Sequence, residues 1–378
     1  MKQLFFIVFI GITLSLGYFW FNQKNESQQT QTLDKGIIPT KNEVLGQNSA
    51  SHVTSQSIFV PSWSLKSDSS LETSGLSQYD RLIYFGISPA QYGINKDEAG
   101  FKMMDIFLKE VPSDKKKYLT LRMINDDVTL PILKNLQSQN NIISETIELV
   151  QQKHFDGLVL DLEISYSLND ATKGQINDFV QQFYASAKKY YIPLSLTIYG
   201  DAFYRRRPYD LRFLAEHSDE IMIMAYDFHK SRGEPGPNFP LDSKDLHEYD
   251  FKQMTADFLA VVPKEKLTVI FGMYGYDWAV DEKKRPYKQA QSLGLNEIKQ
   301  KFVEEGCQLE SCIVKRDDLS SETEIDYVIS TNSPDEQGIY RIDYHIVWFE
   351  DEKSAKLKTD YLLQNGINKI SYWAYGYF

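Results

Sequence analysis

The chain has 378 residues, 42 % of them hydrophobic and 13 % aromatic, with a formal net charge of −11 and two cysteines. The apolar share excludes wholesale disorder, and two cysteines exclude a scaffold built on disulfides. The negative mean field excludes free nucleic acid as a partner and leaves a neutral polymer or a small molecule as the expected ligand class.

Residues 4–21 carry no charge and are almost wholly apolar, with Lys2 the only charge before them. A membrane-spanning helix needs roughly 17–25 such residues, so this run is long enough. Small residues for a signal peptidase are missing at its end. Tyr18, Phe19, Trp20 and Phe21 stand there instead, and aromatics suit a membrane interface. Residues 1–21 are therefore expected to be an uncleaved membrane anchor, with a cleaved secretory signal as the alternative. Either form sends the rest of the chain out of the cytoplasm, anchored or secreted. Residues 22–57 turn to Gln, Ser, Thr and Asn without period and are expected to form a flexible polar linker. Residues 58–378 have the composition of a folded domain.

Along that domain, short apolar, β-branched or aromatic runs fall at 58–63, 81–88, 117–124, 156–163, 193–200, 220–227, 267–275 and 369–376. Helical stripes lie between several of them. The clearest carries Ile176, Phe179, Val180, Phe183, Tyr184 and Ala187. A second is expected to start at Ser144 as N-cap and run through Ile147 and Val150. A third is expected to start at Ser354, carry Leu357, Tyr361 and Leu362, and stop at Gly366. Strands alternating with helices imply a parallel sheet, and eight such units imply an α/β fold of the closed (β/α)8 TIM-barrel type. No glycine-rich phosphate-binding motif supports an open nucleotide-binding sheet. The seventh and eighth runs are too far apart for one simple unit. A small α+β insertion, about 277–345, is expected there, with a helix near 293–302 and strands near 325–329 and 339–349. Cys307 and Cys312 lie within it. An oxidising compartment would close them into a small loop, and a reducing one would leave two thiols. The histidines, His154, His229 and His345 among them, have no metal-ligand spacing, so no metal is assigned.

The chemistry concentrates at 154–163. Side chains alternate along a strand, so Leu158, Leu160 and Leu162 are expected to face the helices. Val159, Asp161 and Glu163 then face the barrel interior. Glu163 ends that strand, and barrel active sites sit at the C-terminal ends of strands. Two carboxyls at i and i+2 on one face can share a proton, which raises a pKa toward neutrality, as a general acid needs.

Asp156, Gly157, Asp161 and Glu163 resemble the D-G-x-D-x-D-x-E signature of glycoside hydrolase family 18, the chitinase-like family. The second acidic position departs from it, being Val159. Further likenesses follow in chain order. Met224, Ala225, Tyr226 and Asp227 resemble the family's sixth-strand element. Gly233, Glu234, Pro235, Gly236 and Pro237 resemble the loop of bacterial cell-wall and spore-cortex members. Gly272, Tyr274, Gly275 and Trp278 resemble the seventh strand, with Met273 in place of proline. Trp373 stands where the family has its substrate-floor tryptophan. The glycine-rich third-strand element is absent from 119–127.

The resemblance implies a glycosidase of the N-acetylglucosaminidase or chitinase type. Its substrate-assisted, retaining mechanism uses the sugar's own 2-acetamido group and needs no cofactor or metal. It implies catalytic roles for Glu163 as acid and base, Asp161 as acetamido-orienting carboxylate and Tyr226 as donor to the acetamido oxygen. Asp227, Trp373, Asp156 and Tyr274 would bind substrate. The expected partner is a polysaccharide, peptidoglycan before chitin. The membrane is reached through the N-terminal segment, nucleic acid is not a partner, and the chain acts as a monomer. The alternative is a non-catalytic, lectin-like barrel of the same family, motivated by Val159.

Overall fold

A computed structural model describes residues 52–378 apart from 67–70, 72, 165–169, 244–247, 305 and 331–341. The expected anchor and most of the expected linker lie outside the described residues. Among those described, no helix is long and apolar enough to cross a membrane.

Eight parallel strands close into a barrel. They are β1 (Ser55–Pro61), β2 (Arg81–Ile87), β3 (Lys116–Met123), β4 (Gly157–Leu162), β5 (Leu194–Tyr199), β6 (Glu220–Ala225), β7 (Leu267–Gly272) and β13 (Lys369–Trp373). Around the ring the order is β1, β13, β7, β6, β5, β4, β3, β2. Strand alternation divides the core as the sequence requires. Leu158, Leu160 and Leu162 of β4 join the large cluster between strands and helices. Val159 joins the smaller interior cluster with Phe59, Ile83, Phe85, Met222 and Met224. The fold is the expected TIM barrel. β1 begins at Ser55, within the range that composition assigns to the linker. Its first residues are polar because they close the barrel floor: Ser57 is 1 % exposed, and the Gln56 N–H donates to Asp80 at 2.9 Å.

The helices α1 (Ala99–Glu110), α2 (Asp126–Leu133), α3 (Leu136–Gln152), α4 (Asp170–Lys189), α5 (Leu211–Glu216) and α6 (Phe251–Leu259) make the crossovers. The α4 stripe buries Ile176, Phe179, Val180, Phe183 and Ala187 as its spacing predicts. Two helix starts differ from expectation. α3 begins eight residues before Ser144, because Asn135 caps it, accepting from the Ser138 N–H at 3.0 Å. Ser144 sits mid-helix and donates to Glu148 at 3.1 Å instead. α8 (Glu352–Gln364) is capped by Asp351, and Ser354 closes the capping box from inside the first turn.

Between β7 and β13 the chain builds an antiparallel five-stranded sheet. Its strands are β8 (Tyr274–Val280), β9 (Gln291–Gly294), β10 (Glu310–Arg316), β11 (Thr323–Ser330) and β12 (Ile342–Phe349), in the order β9, β8, β12, β11, β10. Only Met273 separates β7 from β8. The sheet thus starts three residues before the expected insertion, since the run 267–275 spans two strands that belong to different sheets. The expected helix at 293–302 is one short turn, α7 (Leu295–Ile298), continued by a π-turn. Cys307 and Cys312 form a disulfide with Cα atoms 5.9 Å apart. A buried ion triad locks the insertion to the barrel. Lys358 of α8 donates to Glu322 at 2.8 Å and also to Glu350, and all three side chains are fully buried.

The N-terminal floor of the barrel is closed by Arg81 and Glu220, paired at 2.7 and 3.0 Å, with Ser195 and Thr268 also donating to Glu220. Burial alone would raise the Glu220 pKa. The Arg81 charge and these bonds overturn that and hold it at about 2. The unfolded value is about 4.3, so the stabilisation is full above that pH and is lost as pH falls through about 2. Glu220→Gln should cost about 3–5 kcal/mol at pH 7, since it leaves Arg81 buried and unpaired. Melting curves of wild type and variant between pH 7 and pH 2 should converge on the acid side; a constant gap would refute the charge assignment.

Candidate active site

The C-terminal mouth of the barrel holds a cavity of about 290 Å³ whose lining includes Asp161, Glu163, Thr197, Tyr226, Asp227, Tyr274, Tyr276 and Trp373. Asp161 is the fifth residue of β4 and Glu163 follows the strand directly. Asp161 is 2 % exposed. In the parallel register it lies opposite Thr197 of β5. The Thr197 hydroxyl donates to Asp161 Oδ1, while Oδ2 is buried with no hydrogen-bond partner among the described residues. Two residues on, the Tyr199 hydroxyl donates to Glu163 Oε2 at 2.6 Å. Tyr209 straps the same segment, donating to the Leu162 carbonyl at 2.7 Å and accepting from the Ile164 N–H at 2.8 Å.

Both carboxyls are pushed up, Asp161 well above its ordinary value. For Asp161 the cause is burial and then the charge of Glu163, opposed by Thr197 and Arg122. For Glu163 it is burial, opposed by the Tyr199 bond, Lys230 and Arg207 and reinforced by Asp227. Both shifts run toward the protonated form, the direction a general acid requires.

The opposite wall comes from the end of β6 and the start of the insertion. Asp227 adopts a left-handed backbone at φ 58°. Its N–H donates to Asn238 at 2.8 Å, and its carboxylate accepts from Tyr276 at 2.8 Å and from Tyr274. Gly272 is required here, because a Cβ would lie 2.6 Å from the Tyr274 ring and 2.7 Å from Tyr226. Asn238 is held in turn by its Nδ2 donating to the Gly272 carbonyl at 3.0 Å and by Glu322 of the insertion, which accepts its N–H at 2.6 Å. The aromatic floor is Trp373, packed against Phe85 at 4.7 Å and Phe59 at 5.7 Å, with the exposed Trp63 at 6.2 Å. The Trp373–Ala374 peptide bond is cis.

Of the residues singled out from sequence, Asp161, Glu163, Tyr226, Asp227, Tyr274 and Trp373 converge on this cavity. Asp156 does not. It precedes β4, roughly 20 Å back along the chain at about 3.3 Å per residue. There its carboxylate accepts the Lys117 N–H at 2.7 Å, closing the strand start. Among the residues missed are Thr197, Tyr199, Tyr276 and Arg122. The β5 pair was readable in principle. Ser195, Thr197 and Tyr199 alternate with Leu194, Leu196 and Ile198, so the polar face must point inward, beside the carboxylates.

A family model described as glycosyl hydrolases family 18 matches residues 129–377. The chain belongs to that family. The cortical fragment-lytic enzyme of Bacillus anthracis is 23 % identical over 258 residues, which cover 66 % of this chain and 53 % of that protein. The chain spans about half the length of the curated relatives it matches. Among solved structures, the spore cortex-lytic enzyme SleL of Bacillus cereus aligns over 87 % of this chain and 72 % of its own, with a TM-score of 0.63 at 18 % identity. A family 18 N-acetylglucosaminidase from Paenibacillus barengoltzii aligns over 86 % of this chain and 96 % of its own, with a TM-score of 0.67 at 14 % identity. These structures share the fold. Against the family signature, Val159 is fully buried in the interior cluster, so β4 itself offers Asp161 no acidic neighbour on the floor side.

A raised folded pKa means that ionisation costs stability. The cost is absent below the unfolded value, about pH 4.3 for Glu, and grows as pH rises through the folded one. Glu163→Gln should therefore melt above wild type at pH 8, with the gap closing toward pH 4. Equal melting temperatures at pH 8 would show that burial does not strain Glu163.

Proposed function

We propose that the chain is a glycoside hydrolase that cleaves β-1,4-linked N-acetylglucosamine polymers by substrate-assisted, retaining catalysis. The observation that carries this is the pair of buried carboxyls, Asp161 and Glu163, both with raised pKa, set at the barrel mouth over a cavity floored by Trp373. Family 18 is an exception to the two-carboxylate scheme of most glycosidases. The 2-acetamido carbonyl oxygen of the bound sugar attacks its own anomeric carbon as the glycosidic bond breaks. Glu163 gives its proton to the departing oxygen. The oxazolinium so formed is opened by water, from which Glu163 takes a proton back. The unpartnered Oδ2 of Asp161 is suited to accept the acetamido N–H and to balance the positive charge of the intermediate. Tyr226 donates to the acetamido oxygen, Asp227 and Tyr274 line the sugar's edge, and Trp373 stacks under its ring.

Peptidoglycan is the proposed polymer. The cortex-lytic names among the relatives support it, as does the loop at 233–237. The proposed organisation is an anchor over 1–21, a linker up to β1 and a catalytic barrel outside the membrane. The apolar run at 4–21 and the Cys307–Cys312 disulfide support that placement.

The test is to incubate the purified full-length protein with peptidoglycan and, separately, with chito-oligosaccharides, and to read the products by mass spectrometry. Fragments with reducing N-acetylglucosamine ends are expected, and Glu163→Gln should lower their rate at least about 10²–10⁴-fold, the usual contribution of a general acid. Binding of either sugar without cleavage would instead establish the lectin-like barrel.

A further inference from the structure

We infer that Tyr199, braced by Arg207, is a positioning residue that aims the Glu163 carboxyl and sets the pH range in which it exchanges its proton. The inference rests on the reading of Glu163 as the acid and base of a hydrolase.

Tyr199 ends β5 and donates to Glu163 Oε2 at 2.6 Å, and its half-buried ring packs on the same interior cluster as Tyr226 and Trp373. Its hydroxyl is committed to Glu163, so its effect on the reaction passes through that carboxyl. Its ring is held from outside the site. The Arg207 guanidinium lies over it at 3.9 Å. Arg207 is itself pinned, its Nη2 donating to Asp201 Oδ1 at 3.0 Å and Oδ2 at 3.1 Å, with both side chains 5 % exposed. A planar guanidinium locked in this way makes a rigid stacking surface, which a lysine could not. The Lys230 ammonium lies 5.3 Å from the same ring, and the Tyr209 ring lies 6.5 Å away.

The chemistry explains why such a brace is needed. Glu163 must hold a proton before the glycosidic bond breaks and must be ionised after it, so its pKa can run neither too low nor too high. From β4 it faces Asp161, and from the end of β6 it faces Tyr226 and Asp227. From the loop after β5 it faces Arg207 and Tyr209, and from the loop after β6 it faces Lys230. Burial and Asp227 push its pKa up. A phenol that donates to the ionised carboxylate pushes it down, as do the two cations. A cation over the ring draws electron density from it and makes the hydroxyl a stronger donor. Burial and the Glu163 charge raise the phenol's own pKa above its ordinary range, so Tyr199 remains a donor throughout.

The decisive variant is Tyr199→Phe, which keeps the ring and removes only the hydroxyl. Losing a hydrogen bond to a charged group should lower kcat by about tenfold to a hundredfold. KM should stay within about twofold, because the ring stays in place and only the bond to Glu163 is lost. The alkaline limb of the pH–rate profile should move to higher pH. Arg207→Gln should move it in the same direction, and Arg207→Lys should restore part of the shift. In parallel, the Glu163 carboxyl is titrated by NMR in protein carrying ¹³C-labelled glutamate. That measurement needs no turnover, so it separates this inference from the hydrolase reading. If wild type proves inactive, the titration alone decides. A Glu163 titration in Tyr199→Phe or Arg207→Gln that superposes on wild type would make Tyr199 a packing residue and overturn the inference.

Discussion

Two carboxyl groups set side by side at the mouth of a barrel repel each other and lose part of their hydration, and the surrounding architecture answers that cost. An isolated buried carboxylate is too expensive to keep. Here each acid meets a hydroxyl from the adjacent strand, and cations stand one layer further out: Arg122 beside Asp161, and Arg207 and Lys230 beside Glu163. The register of β4 against β5 delivers this arrangement. Once Asp161 lies opposite Thr197, the two-residue period brings Tyr199 to Glu163. A slip of one residue would turn both hydroxyls outward, so the site depends on strand pairing as much as on the acids themselves.

The inward face of β5 also joins the two ends of the barrel. Ser195 donates to Glu220 on the floor, Thr197 to Asp161 in the middle and Tyr199 to Glu163 at the mouth. At the floor the acid is matched by Arg81 and held ionised. At the mouth the cations match the acids less closely, and burial raises the pKa of both. One strand thus serves a charge-balanced, stabilising end and a charge-strained end that carries the candidate site, the division of labour usual in such barrels.

The barrel was legible because its strands are buried on both faces and read as apolar runs, each within a few residues of the observed strand. The acids were legible because a D-x-E at a strand end is an uncommon arrangement inside an apolar frame. Asp156 misled because a linear motif does not reveal that it runs from the floor of a barrel to its mouth. Thr197 and Tyr199 were passed over because threonine and tyrosine are ordinary strand residues. Only pairing with β4 gives them meaning, and pairing is not written in either strand alone. In the insertion, β9 and β10 escaped notice because they mix polar and charged residues, as exposed antiparallel strands do. The start of β8 was hidden because a single residue, Met273, separates it from β7. The caps at Asn135 and Asp351 lost to the more conspicuous serines nearby.

The insertion is joined to the barrel more intimately than its place in the chain implies. Glu322, which precedes β11, accepts the backbone N–H groups of Asn238 and Phe239, and the Asn238 side chain accepts the N–H of Asp227. The same glutamate neutralises Lys358 in the interior. Removing the sheet would strip a barrel loop of its anchor and strand a buried ammonium. The insertion is therefore no interchangeable cassette. In a lineage, or in a chimaera made at the bench, it must travel with α8 and the loop after β6 as one inherited block.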